Sequence, residues 1–230
     1  MIKQAIIPLA GLGTRLLPLT SVFPKELLPM NGKPGLEYIL DECIDAGIKE
    51  IIFIISNKKK LIKKYFYNDK FYRNIIKNKK DLRIKKEYKK ILSFKKKIKF
   101  VYQNKPLGTG DAVLKTKKLI TTSHFLMLFP DDLILKKNCS KDMIAIHKKY
   151  NSSVMASIKV KKKDVERWGI YSVKKKISNR NFIIKDVIEK PKKKYAPSNN
   201  AVIGRYILPK EIFIQLQKQN KGIGNEIHIT

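Results

Sequence analysis

Acidic residues, arginine, cysteine and long apolar runs are all scarce in this chain, and each shortage excludes something. Two cysteines in 230 residues, Cys43 and Cys139, cannot build a disulfide framework. Neither stands in a CxxC or Cys/His pair with metal-ligand spacing, and His124, His147 and His228 lie in no catalytic spacing. No apolar run approaches the roughly 20 residues needed to cross a bilayer. The N-terminal Met1-Ile-Lys-Gln-Ala-Ile-Ile-Pro8 carries one side-chain charge and runs straight into a glycine turn, which reads as a first strand and not as a signal peptide. These absences predict a soluble protein of the reduced cytoplasm with no membrane partner.

Lysine is what the chain has in excess. It carries 51 Lys and Arg against 19 Asp and Glu, a formal charge of +32, beside 43% hydrophobic residues, which is enough for a real core. The charge is uneven. Residues 1–56 hold five basic and six acidic side chains, a net of −1, whereas residues 57–99 hold nineteen basic and three acidic, a net of +16. A high isoelectric point raises the prior for nucleic acid. Arginine, the bidentate base reader, is nearly absent, and the lysines alternate with Ile, Asn, Phe and Tyr. Solvated faces of a lysine-rich chain explain that pattern better, so no specific nucleic-acid partner is expected.

Apolar runs of strand length alternate with stretches of helical period, the signature of an α/β fold with a mostly parallel sheet and helices on both faces. Strands are expected at 4–9, 50–55, 98–102, 125–129, 153–160, 168–173, 182–188 and 201–208. Helices are expected at 34–46, 110–119, 140–150 and 209–219. In the first of these Leu36, Ile39, Leu40, Cys43 and Ile44 share a face, Pro34 sits at the start and Gly47 at the stop. The lysine-rich stretch 57–97 has helical spacing but little core material and reads as a peripheral insertion. One domain over 1–230 is the simplest division.

Directly after the first strand comes Leu9-Ala10-Gly11-Leu12-Gly13-Thr14-Arg15-Leu16. Two glycines let a backbone approach a ligand closely, and successive amides in such a turn make a nest for anions. It is neither a dinucleotide fingerprint, since the third glycine position is Leu16, nor a P-loop, since no Gly-Lys-Ser/Thr follows. The continuation is what carries weight: Pro18-Leu-Thr20, Pro24-Lys25-Glu26-Leu-Leu-Pro29 and Gly32-Lys33-Pro34. Prolines stiffen these loops, and Lys25 and Arg15 are placed to neutralise phosphoryl oxygens.

The whole spacing resembles the signature of sugar-nucleotide pyrophosphorylases, most closely the bacterial UTP–glucose-1-phosphate uridylyltransferase group. The resemblance covers nearly the whole chain apart from the lysine-rich block. It implies a Rossmann-like core, Mg²⁺ as cofactor, and UTP and glucose 1-phosphate as substrates. It implies that Ala10, Gly11, Gly13 and Thr14 hold base and triphosphate, that Arg15 and Lys25 act on the phosphates as catalytic residues, and that Glu26 lies near the base. In Tyr102-Gln103-Asn-Lys-Pro106-Leu-Gly108-Thr-Gly110-Asp-Ala112 the family's glutamine and glycine, here Gln103 and Gly108, read the pyrimidine. Phe129-Pro130-Asp131-Asp132 ends a strand, and the family's metal-binding aspartate falls on Asp131, with Asp132 a cap or secondary contact. Trp168-Gly169-Ile-Tyr and Val187-Ile-Glu189-Lys190-Pro191 match the sugar-phosphate elements, which assigns Gly169 and Glu189 to sugar hydroxyls and Lys190 to the phosphate.

At Gly222-Ile-Gly-Asn-Glu226-Ile-His-Ile-Thr230 the family motif begins and the sequence stops, so the family's C-terminal part, with its oligomer contacts, is expected to be absent. A homo-oligomer is implied where that part is present. The reading is a UDP-glucose-forming nucleotidyltransferase. Its rivals are a dTTP-using or other sugar-1-phosphate sister enzyme, a degenerate non-catalytic homologue and, distantly, a nucleic-acid-binding protein.

Overall fold

The computed structural model describes residues 1–67, 70–219, 227 and 229. The motif at 222–226 therefore lies outside the described residues. Strand β1 (Gln4–Pro8) is followed by a small hairpin, β2 (Pro29–Met30) with β3 (Lys33–Pro34), then helix α1 (Gly35–Asp45) and strand β4 (Glu50–Ile55). Three helices, α2 (Lys60–Phe66), α3 (Lys70–Asn78) and α4 (Leu82–Lys95), lead into β5 (Ile98–Tyr102). Then come α5 (Thr109–Leu114), β6 (His124–Leu128), α6 (Cys139–Tyr150), β7 (Val154–Lys159), β8 (Gly169–Lys176), β9 (Phe182–Glu189), β10 (Asn200–Pro209) and α7 (Ile212–Lys218).

Eight strands form one sheet in the order β5-β4-β1-β6-β10-β8-β9, with β7 paired on β10. β5, β4, β1 and β6 are mutually parallel, and the strands beyond β6 run antiparallel. The chain moves outward from β1 to β4 and β5, then crosses back to place β6 on the other side of β1. That reversal makes a crevice at the carboxyl ends of β1 and β6, where ligands of such sheets bind.

β4, Glu-Ile-Ile-Phe-Ile-Ile, shows why the sheet is covered on both faces. Ile51, Phe53 and Ile55 pack into one core with Leu36, Ile39 and Leu40 of α1. Ile52 and Ile54 pack into the other with Val113 of α5 and Phe213 and Leu216 of α7. The period of two sends alternate side chains to opposite layers, and β-branched isoleucine suits a strand buried on both sides. α1 ends at Gly47, whose φ of 85° favours glycine.

Two expectations need correcting. The lysine-rich block is helical, but it is not short of core material: Ile62, Phe66, Ile91 and Phe94 are buried in the first core, and Phe66 meets Phe53 edge-on at 5.7 Å. Each such side chain is worth about 1.5–3 kcal/mol of burial, so α2 and α4 roof the sheet, with their lysines on the outside. The helix expected over 110–119 ends at Leu114. Thr116 Oγ1 donates to Val113 O at 2.7 Å, and the next turns close on i−3 carbonyls, local bonding that competes with a continuing α-helix. Among the described residues no helix is long and apolar enough to cross a membrane.

Candidate active site

The crevice is a cavity of about 780 Å³. One wall is the turn after β1, contributing Ala10, Gly11 and Arg15, and the opposite wall is Phe129–Asp132 after β6. Gly13 supports the turn from behind. Its φ is 69°, and a Cβ there would sit 3.1 Å from Thr20 Cγ2 and 3.4 Å from Lys25 Cδ. Thr20 Oγ1 donates to Gly13 O at 2.8 Å, so the threonine of Pro18-Leu-Thr20 ties the loop together. Thr14 opens a short 3-10 turn and is exposed, outside the cavity wall. Arg15 lines the cavity and has no ion-pair partner among the described residues.

Lys25 and Glu26 diverge. They occupy one 3-10 turn, Lys25–Leu27, in which successive side chains point about a third of a circle apart. Lys25 Nζ reaches across to Asp131 Oδ2 in an ion pair spanning the cleft wall. Glu26 turns inward, 5% exposed, and its Oε1 accepts from Lys59 Nζ at 2.6 Å. Burial pushes the Lys59 ammonium down from its ordinary range, and the Glu26 carboxylate works against that shift. Glu26, expected beside the base, is thus a buried strut and does not line the cavity.

Gln103 and Gly108 frame the far end. Gly108, with φ 93°, takes the chain into α5 in a conformation that favours glycine. Gln103 Nε2 donates to Gly108 O at 3.0 Å and to Asp111 Oδ2 at 2.8 Å. Ile227 N donates to Leu107 O at 2.9 Å and Gly110 N to Ile227 O at 2.7 Å, so residue 227 buttresses the same loop.

At the end of β6 the two aspartates have different jobs. The Asp131 side chain is 56% exposed and faces Lys25. Asp132 Oδ2 accepts the Gly204 N–H at 2.7 Å, joining β6 to β10. Below them Arg205, wholly buried, is held by both oxygens of Glu42 and donates to Phe129 O at 3.1 Å and Asp132 O at 2.7 Å. Three charge-assisted bonds to Glu42 thus hold the guanidinium, and two more fix the carbonyls of Phe129 and Asp132 on either side of Asp131.

The sugar-side residues come together although 20 positions apart in sequence. Gly169 pairs with Glu189 across β8 and β9, and a Cβ on Gly169 would stand 3.0 Å from Glu189 Oε2. Lys190, with φ 46°, lies 3.8 Å from Glu189 and is exposed. None of these three lines the cavity itself, whereas their neighbours Arg167 and Trp168 do. Among the described residues no group of three His, Cys, Asp or Glu could hold a metal. A lone exposed carboxylate beside a phosphate-type turn still suits Mg²⁺, which keeps waters and takes one or two carboxylates plus phosphate oxygens.

The family model for nucleotidyl transferases matches residues 4–227. The chain belongs to the nucleotidyl transferase family. It is 38% identical over 232 residues to a UTP–glucose-1-phosphate uridylyltransferase of Staphylococcus epidermidis, covering 100% of this chain and 79% of that protein. It superposes on a UDP-glucose pyrophosphorylase solved with UDP-glucose at a TM-score of 0.86, with 33% identity, covering 100% of this chain and 84% of the other. A UTP-bound UGPase from Acinetobacter baumannii gives 0.87 at 32% identity, covering 95% and 78%.

In this nucleotidyl transferase the cavity gathers Ala10, Gly11, Arg15, Gln103, Gly108 and Asp131, with Lys25 joined through Asp131. Sequence reasoning missed Lys59, Asp111, Glu42 and Arg205. Lys59 was hidden in a lysine run. For Arg205 a signal was available: an arginine inside an apolar strand, Ala201–Leu208, points to a buried partner.

Proposed function

We infer that the chain is a UTP–glucose-1-phosphate uridylyltransferase acting as one nucleotidyltransferase domain in the cytoplasm, forming UDP-glucose and pyrophosphate. The observation that carries this reading is the Lys25–Asp131 pair, which joins the Pro-Lys-Glu loop packed against Gly13 to a metal-type strand end at the switch point of the sheet.

A phosphate oxygen of glucose 1-phosphate attacks the α-phosphorus of UTP in line, the bond to the bridging oxygen breaks, and pyrophosphate carries away the electron pair. The protein positions and neutralises. Amides of the Ala10–Thr14 turn cradle the triphosphate, with Arg15 and Lys25 meeting the charge that builds on the transferring and leaving oxygens. Gln103 and Gly108 hold the base. Gly169 gives the sugar room beside Glu189, which accepts from its hydroxyls, and Lys190 meets its phosphate. Asp131 is the residue to hold Mg²⁺, which when bound offsets phosphate charge. Lys25, paired with Asp131 at the cleft wall, is the chain's own cation beside that carboxylate. The test is pyrophosphate release from UTP, expected only when glucose 1-phosphate and Mg²⁺ are both present. Equal turnover of dTTP would move the assignment to a sister enzyme.

A further inference from the structure

The amide of Gln103 has only one way to face. Its Nε2 carries two protons, and they go to Gly108 O at 3.0 Å and Asp111 Oδ2 at 2.8 Å. Both partners are acceptors, so a reversed amide would set its oxygen against a carbonyl and a carboxylate. Side-chain oxygen Oε1 is therefore the edge left over. Among the described residues it accepts no hydrogen bond, and Gln103 lines the cavity.

We propose that Asp111 is a positioning residue that sets pyrimidine selectivity, by locking Gln103 with its oxygen toward the base. The proposal rests on the nucleotide reading of the cleft. A lone acceptor pairs with an N3–H, which uracil and thymine possess. Cytosine presents an unprotonated N3, and two facing acceptors leave both unpaired and desolvated. The lock is blind to the 5-methyl group, so it excludes CTP without separating UTP from dTTP. Asp111 also lies in the first turn of α5 and 3.6 Å from Lys115, contacts that could serve the helix alone. A purely structural role would weaken every nucleotide in proportion.

The experiment is direct binding of UTP, CTP and dTTP to the intact protein, to Asp111→Ala and to Asp111→Asn, by calorimetry with Mg²⁺ present. Wild type is expected to prefer UTP over CTP by roughly 10- to 100-fold, as one unpaired buried acceptor costs. In Asp111→Ala the freed amide can turn its N–H to cytosine, so the UTP:CTP ratio is expected to fall about tenfold while UTP:dTTP stays fixed. Asp111→Asn keeps an acceptor for Nε2 and is expected to retain the wild-type ratio. An unchanged UTP:CTP ratio in Asp111→Ala, with all affinities lowered alike, overturns the proposal, as does a wild type that binds CTP as well as UTP. Selective binding without any turnover would sink the transferase reading and leave this inference standing.

Discussion

Lys59 and Glu26 form an ion pair at 2.6 Å directly behind the 3-10 turn whose first residue, Lys25, faces the cleft. Both are 5% exposed, and the second oxygen of Glu26 is buried with no hydrogen-bond partner among the described residues. Two lysines therefore act on the two sides of one 3-10 turn, Lys25 outward and Lys59 inward.

Removing Lys59 should be far worse than removing its neighbours. Lys59→Met strands Glu26 in the interior, a loss of about 3–5 kcal/mol in the usual case of a broken buried pair. The urea midpoint should drop sharply, and a Lys59→Met/Glu26→Leu double variant should recover part of it. Lys58→Gln, Lys60→Gln and Lys96→Gln, all exposed, should leave both stability and the Michaelis constant for UTP nearly unchanged. Loss of UTP binding in that triple variant would give the basic surface a role in catalysis.

Asp131 and Asp132 should separate by readout. Asp131→Asn should abolish Mg²⁺-dependent turnover at unchanged melting temperature, because among the described residues the carboxylate bonds to Lys25 alone. Asp132→Ala should do the reverse in the first instance. It leaves the Gly204 N–H without its acceptor, and chemical denaturation should show a cost of about 1–3 kcal/mol. If Asp132→Asn proved the more damaging change to turnover, the metal register would be off by one residue.

Arg205→Met should destabilise severely, since Glu42 would be buried beside Ser140 with no cation. A Glu42→Leu/Arg205→Met double variant should be less destabilised than Arg205→Met alone, yet it should still lose turnover, because the carbonyls flanking Asp131 lose their donors. Full activity in a folded double variant would show that Asp131 needs no such anchor.

Stability should fall above pH 9. Burial raises the Cys139 thiol from 9.0 to about 11 and pushes Cys43, Tyr65, Tyr171 and Tyr206 upward as well. Each group keeps its proton longer when folded than when unfolded. Its contribution is intact below its unfolded pKa and is lost as pH climbs toward the folded one. Lys59, pushed down, has the opposite sign, but it is one group against five. Melting temperatures scanned from pH 8 to 10.5 should decline steadily; a flat profile would contradict the burial of these groups.

What was legible in the sequence was what local pattern dictates. Glu50–Ile55 announced itself as a strand because both its faces are apolar, and the Gly11–Gly13 turn because its chemistry is written in consecutive residues. Pairings across the fold were not legible. Nothing in Lys58-Lys-Lys60 marks the middle residue as buried, since that depends on Glu26 meeting it across the fold. Likewise Gln103 and Asp111 look like an ordinary strand end and helix start until α5 folds back and their side chains meet. The burial of Glu26 was not legible either: the resemblance of Pro24-Lys25-Glu26 sets it beside the base, whereas its carboxylate turns inward to Lys59.

The most direct test of the central claim is the fate of a label on the α-phosphorus of UTP. Incubated with excess glucose 1-phosphate and Mg²⁺, and with inorganic pyrophosphatase to remove the product, the protein should move that label entirely into UDP-glucose while two unlabelled phosphates appear for each one formed. Lys25→Ala should slow this transfer by about 2.7–4 kcal/mol in transition-state free energy, the scale of one preorganised donor lost. Label remaining in UTP, or released as UMP without sugar attached, would contradict the account.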